Sequence, residues 1–195
     1  MRRPLWIFGY GSLIWDPGFV PAERRRATLA GWRRSFCMRS IHFRGTEAAP
    51  GLVLALDAEP EAECAGLALR VPEAEAERIL AEVRARELIS YAYLEQTVTL
   101  HCERGERIEA LAYVINREGP QYCALGAEEQ ARIIAAASGA RGPNRDYLWN
   151  TAQHLADLGL ADPELDALAV RVRELTSGGF TQALAPPIVA HNNKR

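Results

Sequence analysis

The chain has 195 residues, of which 48% are hydrophobic and 25% charged, as is typical of a globular protein long enough to bury a sizeable core. Its formal net charge of -2 argues against nucleic acid or an anionic membrane as a partner. No apolar run approaches the ~20 residues that span a bilayer, and Gly9, Tyr10 and Asp16 interrupt what would be a signal-peptide core. We therefore expect a cytoplasmic protein.

The first predicted element is a strand that ends in a glycine-rich turn at residues 6–17 (Trp-Ile-Phe-Gly-Tyr-Gly-Ser-Leu-Ile-Trp-Asp-Pro). Two glycines in such a turn allow a ligand to approach the backbone N–H groups. The turn is not a dinucleotide fingerprint, because Ile14 stands at the third glycine position, and no Gly-Lys-Ser/Thr of a P-loop follows. By itself it indicates either an anion-binding loop or a plain connection between two elements.

Short strands bounded by Gly, Pro or Asp are predicted over the first seventy residues, at 5–10, 35–39, 51–56 and 64–71. The arginines at 24–26, 33 and 34 are interpreted as a solvated surface. A polar cluster after the second strand indicates either a hydrated loop or groups that bind a carboxylate. The cluster consists of Arg39, Ser40, His42, Arg44 and Thr46.

Helical periodicity begins at residue 73 and continues to about residue 88. The apolar face of this helix runs through Ala76, Leu80 and Val83, and one more step of four residues reaches Glu87. A carboxylate on that face points toward the core, where loss of water raises its pKa and makes it a candidate general base. The alternative is that the helix frays near its end, so that Glu87 points outward or pairs with an arginine.

Strand character returns at 93–100 and 109–115, and the polar turn at 103–106 predicts a hairpin. Helices are predicted at 127–137 and 144–158. A third helix is expected to open at Asp162-Pro163, with Asp as the N-cap.

Strands followed by helices predict the α+β class with a mainly antiparallel or barrel-like sheet. We expect a single domain at 1–177 and an irregular tail at 178–195, where Gly, Pro and Asn become frequent. Asn144 is interpreted as a helix cap, and Tyr147 as a residue that caps the helix or reaches a ligand. The four cysteines lack metal-binding spacing and are interpreted as structural thiols. They are Cys37, Cys64, Cys102 and Cys123.

Four segments, in the same order along the chain, resemble the ChaC family of γ-glutamylcyclotransferases. They are residues 8–15, residues 36–54, the pair Arg86-Glu87, and residues 142–148 (Gly-Pro-Asn-Arg-Asp-Tyr-Leu). The resemblance covers roughly residues 6 to 175. It implies a small mixed fold with a compact barrel. It also implies an enzyme, without metal or organic cofactor, that releases 5-oxoproline from γ-glutamyl compounds, most often glutathione, which also yields cysteinylglycine.

The resemblance also implies residue roles. Glu87 takes a proton from the substrate's α-amine, which attacks the γ-carbonyl, and then donates a proton to the departing amine. The glycine-rich turn holds the γ-glutamyl group, Arg39 binds its α-carboxylate, and Tyr147 lines the pocket. The implied substrate-binding residues are therefore Ile7, Phe8, Gly9, Tyr10, Gly11, Ser12, Arg39 and Tyr147.

The chain departs from many family members after the glutamate, where residues 88–93 read Leu-Ile-Ser-Tyr-Ala-Tyr and glycines are common elsewhere in the family. The leaving group therefore stays open, and a cyclotransferase for other γ-glutamyl amines or dipeptides is an alternative. A non-catalytic module that binds a γ-glutamyl metabolite is another, although a pure binder gains nothing from a buried base. The expected partner is a small-molecule γ-glutamyl compound, and the oligomeric state stays open.

Overall fold

A closed barrel of five strands forms the centre of the molecule, for which a computed structural model describes residues 3–182. The strands are β1 (Trp6–Gly9), β2 (Glu23–Ser40), β3 (Gly51–Arg70), β4 (Tyr93–Cys102) and β5 (Arg107–Ile115). Their order is β1-β3-β2-β4-β5, and a parallel pairing of Ile7 with Leu111 joins β1 to β5.

In the part of the chain that the structure describes, four helices pack against this barrel. They are α1 (Ala76–Glu87), α2 (Ala127–Ala136), α3 (Asn144–Asp157) and α4 (Pro163–Gln182). A small hairpin of β6 (Ser138–Gly139) and β7 (Gly142–Pro143) lies between α2 and α3. Within residues 3–182, no helix has both the length and the hydrophobicity needed to cross a membrane.

Two large hydrophobic clusters fill the barrel and join three of the helices to it. One contains a residue from each of the five strands and so fills the barrel interior; its members include Phe8, Leu29, Leu56, Leu100 and Val114. The other joins the outer face of β2 and β3 to α2, α3 and α4; its members include Phe36, Leu54, Ile134, Leu148 and Leu168. The α+β class predicted from the sequence is confirmed.

Strands β2 and β3 are much longer than predicted. They pair from Glu23 opposite Arg70 to Ser40 opposite Gly51, so the prediction of separate short strands in this region was wrong. A register shift at Gly31, whose φ is +80, allows β2 to bend while pairing continues. Strand formation here depends on pairing with a distant segment, which local composition does not report.

The other predicted elements agree closely with the structure. Helix α1 and the β4–β5 hairpin form where expected, and the four cysteines are buried. Asp162 caps α4, because its Oδ1 accepts a hydrogen bond of 3.2 Å from the N–H of Leu165. The predicted irregular tail was wrong at 178–182, where α4 continues, and 183–195 lies outside the described residues.

The prediction that the basic residues near the N-terminus are all solvated was wrong for Arg34. Its side chain is only 3% exposed. It donates hydrogen bonds to the carbonyl oxygens of Tyr10 (2.6 Å) and Ala65 (2.5 Å) and to Oδ2 of Asp162 (2.7 Å). Arg33, next in the strand, is 44% exposed. The alternation of strand side chains therefore places one arginine in the interior and its neighbour in solvent.

Candidate active site

A cleft lies where the turn after β1, the end of α1 and the start of α3 meet. Its outer part is a cavity of about 170 Å³, and a smaller cavity of about 20 Å³ lies next to it. Ser12, Glu87, Tyr93 and Tyr147 border both cavities. Because they share these walls, we describe the smaller cavity as the inner end of the cleft.

Glu87 is the last residue of α1 and lies at the junction of the two cavities. Its side chain is 14% exposed and follows the buried residues Ile79 and Val83 on the same helix face. Burial raises the pKa of Glu87, while the charges of Arg86 and Arg141 oppose that rise. The predicted inward position of Glu87 is confirmed, and its role as a base stays a prediction.

The turn after β1 faces this carboxylate. It continues as a 3-10 helix at Ser12–Ile14, in which the N–H of Ile14 donates to the carbonyl of Gly11 at 2.9 Å. The first N–H groups of a helix have no partner within that helix, so this turn presents backbone donors. A Cβ added at Gly11 would lie 3.5 Å from the Tyr147 hydroxyl, so glycine keeps the gap between turn and hydroxyl open.

Arg86 connects the turn to the carboxylate. Its Nε lies 3.2 Å from Oε1 of Glu87, and its terminal nitrogens donate to Ser12 Oγ (3.0 Å) and to the carbonyl of Asp16 (2.7 Å). Arg86 was not among the predicted site residues, although its position next to Glu87 in the sequence was a usable signal. Glu87 is therefore both buried and paired with an arginine, and that pairing was part of the alternative considered for it.

Two further arginines line the outer cavity. Arg44 donates to the carbonyls of Arg141 (2.7 Å) and Pro143 (3.2 Å), and its guanidinium carbon lies 5.6 Å from the centre of the Tyr147 ring. The guanidinium carbon of Arg141 lies 4.4 Å from the centre of the Phe43 ring. With Arg86 they supply three positive charges around two lining carboxylates, so the cleft favours an anionic ligand.

Tyr147 supplies a neutral donor to the same space. Burial raises its pKa to about 12, so the hydroxyl stays protonated at neutral pH. Its helix is fixed by Asn144, which is fully buried and exchanges two hydrogen bonds with the backbone of Leu52, at 2.6 and 2.7 Å. The prediction that Asn144 caps α3 was therefore wrong: its side chain reaches β3 instead of its own helix.

The structure brings together only part of the predicted site. Four of the predicted binding residues line the cleft with Glu87; they are Tyr10, Gly11, Ser12 and Tyr147. Four others border neither cavity; they are Ile7, Phe8, Gly9 and Arg39.

Each of these four has a physical reason for lying elsewhere. Ile7 and Phe8 are fully buried in the hydrophobic core, and Gly9 pairs with Leu67 inside the sheet. Met38 and Ser40 line the cleft, so alternation along β2 places Arg39 between them on the opposite face.

The chain is similar in sequence to a known protein family and to several known proteins. The family described as ChaC-like protein matches residues 5–175. The glutathione-specific γ-glutamylcyclotransferase of Escherichia coli (strain K12) is 37% identical over 185 residues, which cover 94% of this chain and 79% of that protein. The glutathione-specific γ-glutamylcyclotransferase 1 of Homo sapiens is 32% identical over 156 residues, covering 78% and 70%.

The solved structures define the class of fold. A yeast γ-glutamylcyclotransferase specific to glutathione superposes with a TM-score of 0.81 at 22% identity, covering 89% of this chain and 97% of that one. The fold is therefore that of the γ-glutamylcyclotransferases. The chain itself belongs to the ChaC-like protein family, as the sequence resemblance predicted.

Proposed function

We propose that this chain converts glutathione into 5-oxoproline and cysteinylglycine, in a single domain. The observation that carries the proposal is the buried carboxylate of Glu87 at the junction of the two cavities. The Escherichia coli relative is a glutathione-specific γ-glutamylcyclotransferase, which supports the choice of glutathione as the substrate. A small-molecule γ-glutamyl compound is then the partner of the cleft.

The proposed reaction needs one group that both accepts and returns a proton. Glu87 takes a proton from the substrate's α-ammonium group, and the freed amine forms a bond to the γ-carbonyl carbon. The bond from that carbon to the cysteine nitrogen then breaks, and Glu87 returns the proton to that nitrogen. The ring nitrogen passes its second proton to the same departing nitrogen, so the lactam is neutral and cysteinylglycine leaves with its new amine as an ammonium group. The ring of 5-oxoproline closes, no water is consumed, and Glu87 ends ionised as it began.

The raised pKa of Glu87 suits this exchange. A peptide α-amine has a pKa near 8, whereas an unperturbed glutamate lies near 4.3, so transfer to an ordinary carboxylate is strongly uphill. Burial of Glu87 narrows that gap. The buried carboxylate of Glu87 thus becomes a better base for this amine than an exposed glutamate would be.

The turn and the nearby side chains would hold the substrate in the attacking geometry. In our proposal, backbone N–H groups at Ser12 and Leu13 and the Tyr147 hydroxyl donate to the γ-carbonyl oxygen, where negative charge develops. Arg44 binds the α-carboxylate, in place of Arg39. Holding amine and carbonyl together in this way supplies several kcal/mol of the barrier.

A pH profile tests the electrostatics of the base. Protonated Glu87 cannot accept a proton, so kcat/KM should fall as the pH falls through the pKa of Glu87 in the free enzyme. Because the positive charge of Arg86 lowers that pKa, Arg86→Met should move the acid limb of the profile to higher pH. The measurement is kcat/KM from pH 5 to 9.

Arg78→Met is the matched control for this profile, because Arg78 lies on the same helix but pairs with Glu75 and Glu82 in solvent. Its acid limb should coincide with that of the wild type. An Arg86→Met profile that keeps the wild-type limb, or moves it to lower pH, would contradict the assignment of Glu87 as the titrating base.

The products test the proposed function directly. Purified protein is incubated with glutathione, and 5-oxoproline and cysteinylglycine are measured by mass spectrometry; equal amounts of both are expected. Glutathione acetylated on its α-amine should yield neither product, because its nitrogen cannot attack. Free glutamate instead of 5-oxoproline would indicate hydrolysis and would reject the proposal. Release of 5-oxoproline only from other γ-glutamyl amines would favour the alternative substrate class.

A further inference from the structure

Arg141 occupies a fixed position at the rim of the cleft. It lies in the two-residue tip of the β6–β7 hairpin, beside Gly142, whose φ is +90. The N–H of Arg141 donates to the carbonyl of Phe43 at 2.9 Å. A Cβ added at Gly139 would overlap the backbone of Phe43 and Gly45, so the hairpin packs tightly against the loop after β2. The backbone that carries Arg141 is therefore well positioned.

The three arginines of the cleft differ in the protein partners of their guanidinium groups. Arg86 donates to the turn and pairs with Glu87, and Arg44 donates to two carbonyls. Within residues 3–182, the side chain of Arg141 has no hydrogen bond or ion pair and is held only by its contact with the Phe43 ring. It is exposed and lines the outer cavity, so its donors are available to a ligand.

We propose that Arg141 binds the C-terminal carboxylate of the dipeptide that leaves the substrate, an inference that rests on the proposed function. Glutathione carries two carboxylates. The α-carboxylate is attached to the same carbon as the attacking amine and so lies near Glu87, where the half-buried Arg44 stacks over Tyr147. The second carboxylate is the C-terminus of the cysteinylglycine part of the substrate. It lies at most about 7 Å from the nitrogen of the bond that breaks, because each residue extends about 3.3–3.6 Å.

This assignment makes Arg141 a specificity residue. An arginine presents paired N–H donors that match a carboxylate, and an amide in the same place loses the charge and one acceptor oxygen. The chain therefore selects γ-glutamyl peptides with a free C-terminus over capped peptides and simple γ-glutamyl amines. Because this carboxylate belongs to a part of the substrate that does not react, its binding should affect KM more than kcat.

The test compares two substrates in two enzymes. The substrates are glutathione and glutathione whose glycine carboxylate is converted to an amide; the enzymes are the wild type and Arg141→Met, which keeps an apolar side chain against Phe43. Wild type should prefer the free acid by about tenfold in kcat/KM, mostly through KM, as fits a charge-assisted contact weakened by solvent. Arg141→Met should lose that factor on glutathione, so that its kcat/KM becomes similar for the two substrates.

Arg145→Met is the matched control, because Arg145 follows four residues later and does not line the cleft. It should keep the wild-type preference, and Arg141→Lys should restore part of it. Equal kcat/KM for the two substrates in the wild type, or an equal loss on both in Arg141→Met, would overturn the inference while leaving the proposed function intact. A wild type that releases no 5-oxoproline from glutathione would overturn both.

Discussion

Glu87→Gln is expected to lower kcat on glutathione by about 10³-fold, since general acid–base catalysis contributes 10²–10⁴-fold. Glutamine has nearly the same shape, and its carbonyl oxygen can still accept from Arg86, but it neither takes nor returns a proton. The measurement is the rate of 5-oxoproline formation under single-turnover and steady-state conditions. The dissociation constant for glutathione, measured by calorimetry on the variant, should stay within a few-fold of the wild-type KM.

Glu82→Gln provides the control for this loss. Glu82 lies on the same helix, is 54% exposed and pairs with Arg78, so its variant should retain wild-type turnover. A Glu87→Gln enzyme with kcat within threefold of wild type would show that another group moves the proton. A variant that also fails to bind glutathione would assign Glu87 to binding instead of catalysis.

The same substitution bears on stability. Burial raises the pKa of Glu87, so at neutral pH its ionised form is less favourable in the folded chain than in the unfolded one. That penalty grows as the pH rises above the ordinary glutamate pKa and disappears when the group is protonated. Glu87→Gln should therefore melt at or above the wild-type temperature at pH 7. Higher stability together with lost activity would fit a site in which a buried charge destabilises the fold but is needed for catalysis.

The position of Glu87 could be predicted because side chains on one face of a helix recur every three to four residues, and this spacing is visible in the sequence. The buried residues Ile79 and Val83 are each followed four residues later by another inward position, and the second of those is Glu87. The glycine-rich turn was equally visible, because glycine spacing marks places where the backbone is accessible. Both signals are local, and both components meet in the cleft.

The arginines of the cleft could not be assigned in the same way. Arg44, Arg86 and Arg141 come from three distant segments, and only the closed barrel and the helices packed on it bring them together. Arg39 lies outside the cleft because the long pairing of β2 with β3 sets which side chains of β2 face the cleft. A shift of one residue exchanges the two faces of a strand, and the sequence of that strand does not fix the phase.

Arg34→Met is expected to lower the free energy of unfolding by about 3–5 kcal/mol, the cost typical of breaking a buried ion pair. The substitution leaves the carbonyls of Tyr10 and Ala65 and the partly buried carboxylate of Asp162 without their donor. Urea denaturation should show a lower midpoint with an unchanged slope, and the melting temperature should fall by roughly 10 °C.

Arg33→Met is the control for Arg34→Met, because the adjacent side chain is 44% exposed and lies 4.0 Å from Glu59. Its effect should stay below about 1 kcal/mol, as for other exposed ion pairs. Because Tyr10 begins the turn that faces Glu87, Arg34→Met should also weaken glutathione turnover at temperatures where it remains folded. Equal stability losses in both variants would mean that the three bonds of Arg34 add nothing beyond a surface charge, and the burial of one arginine in this strand would then need another explanation.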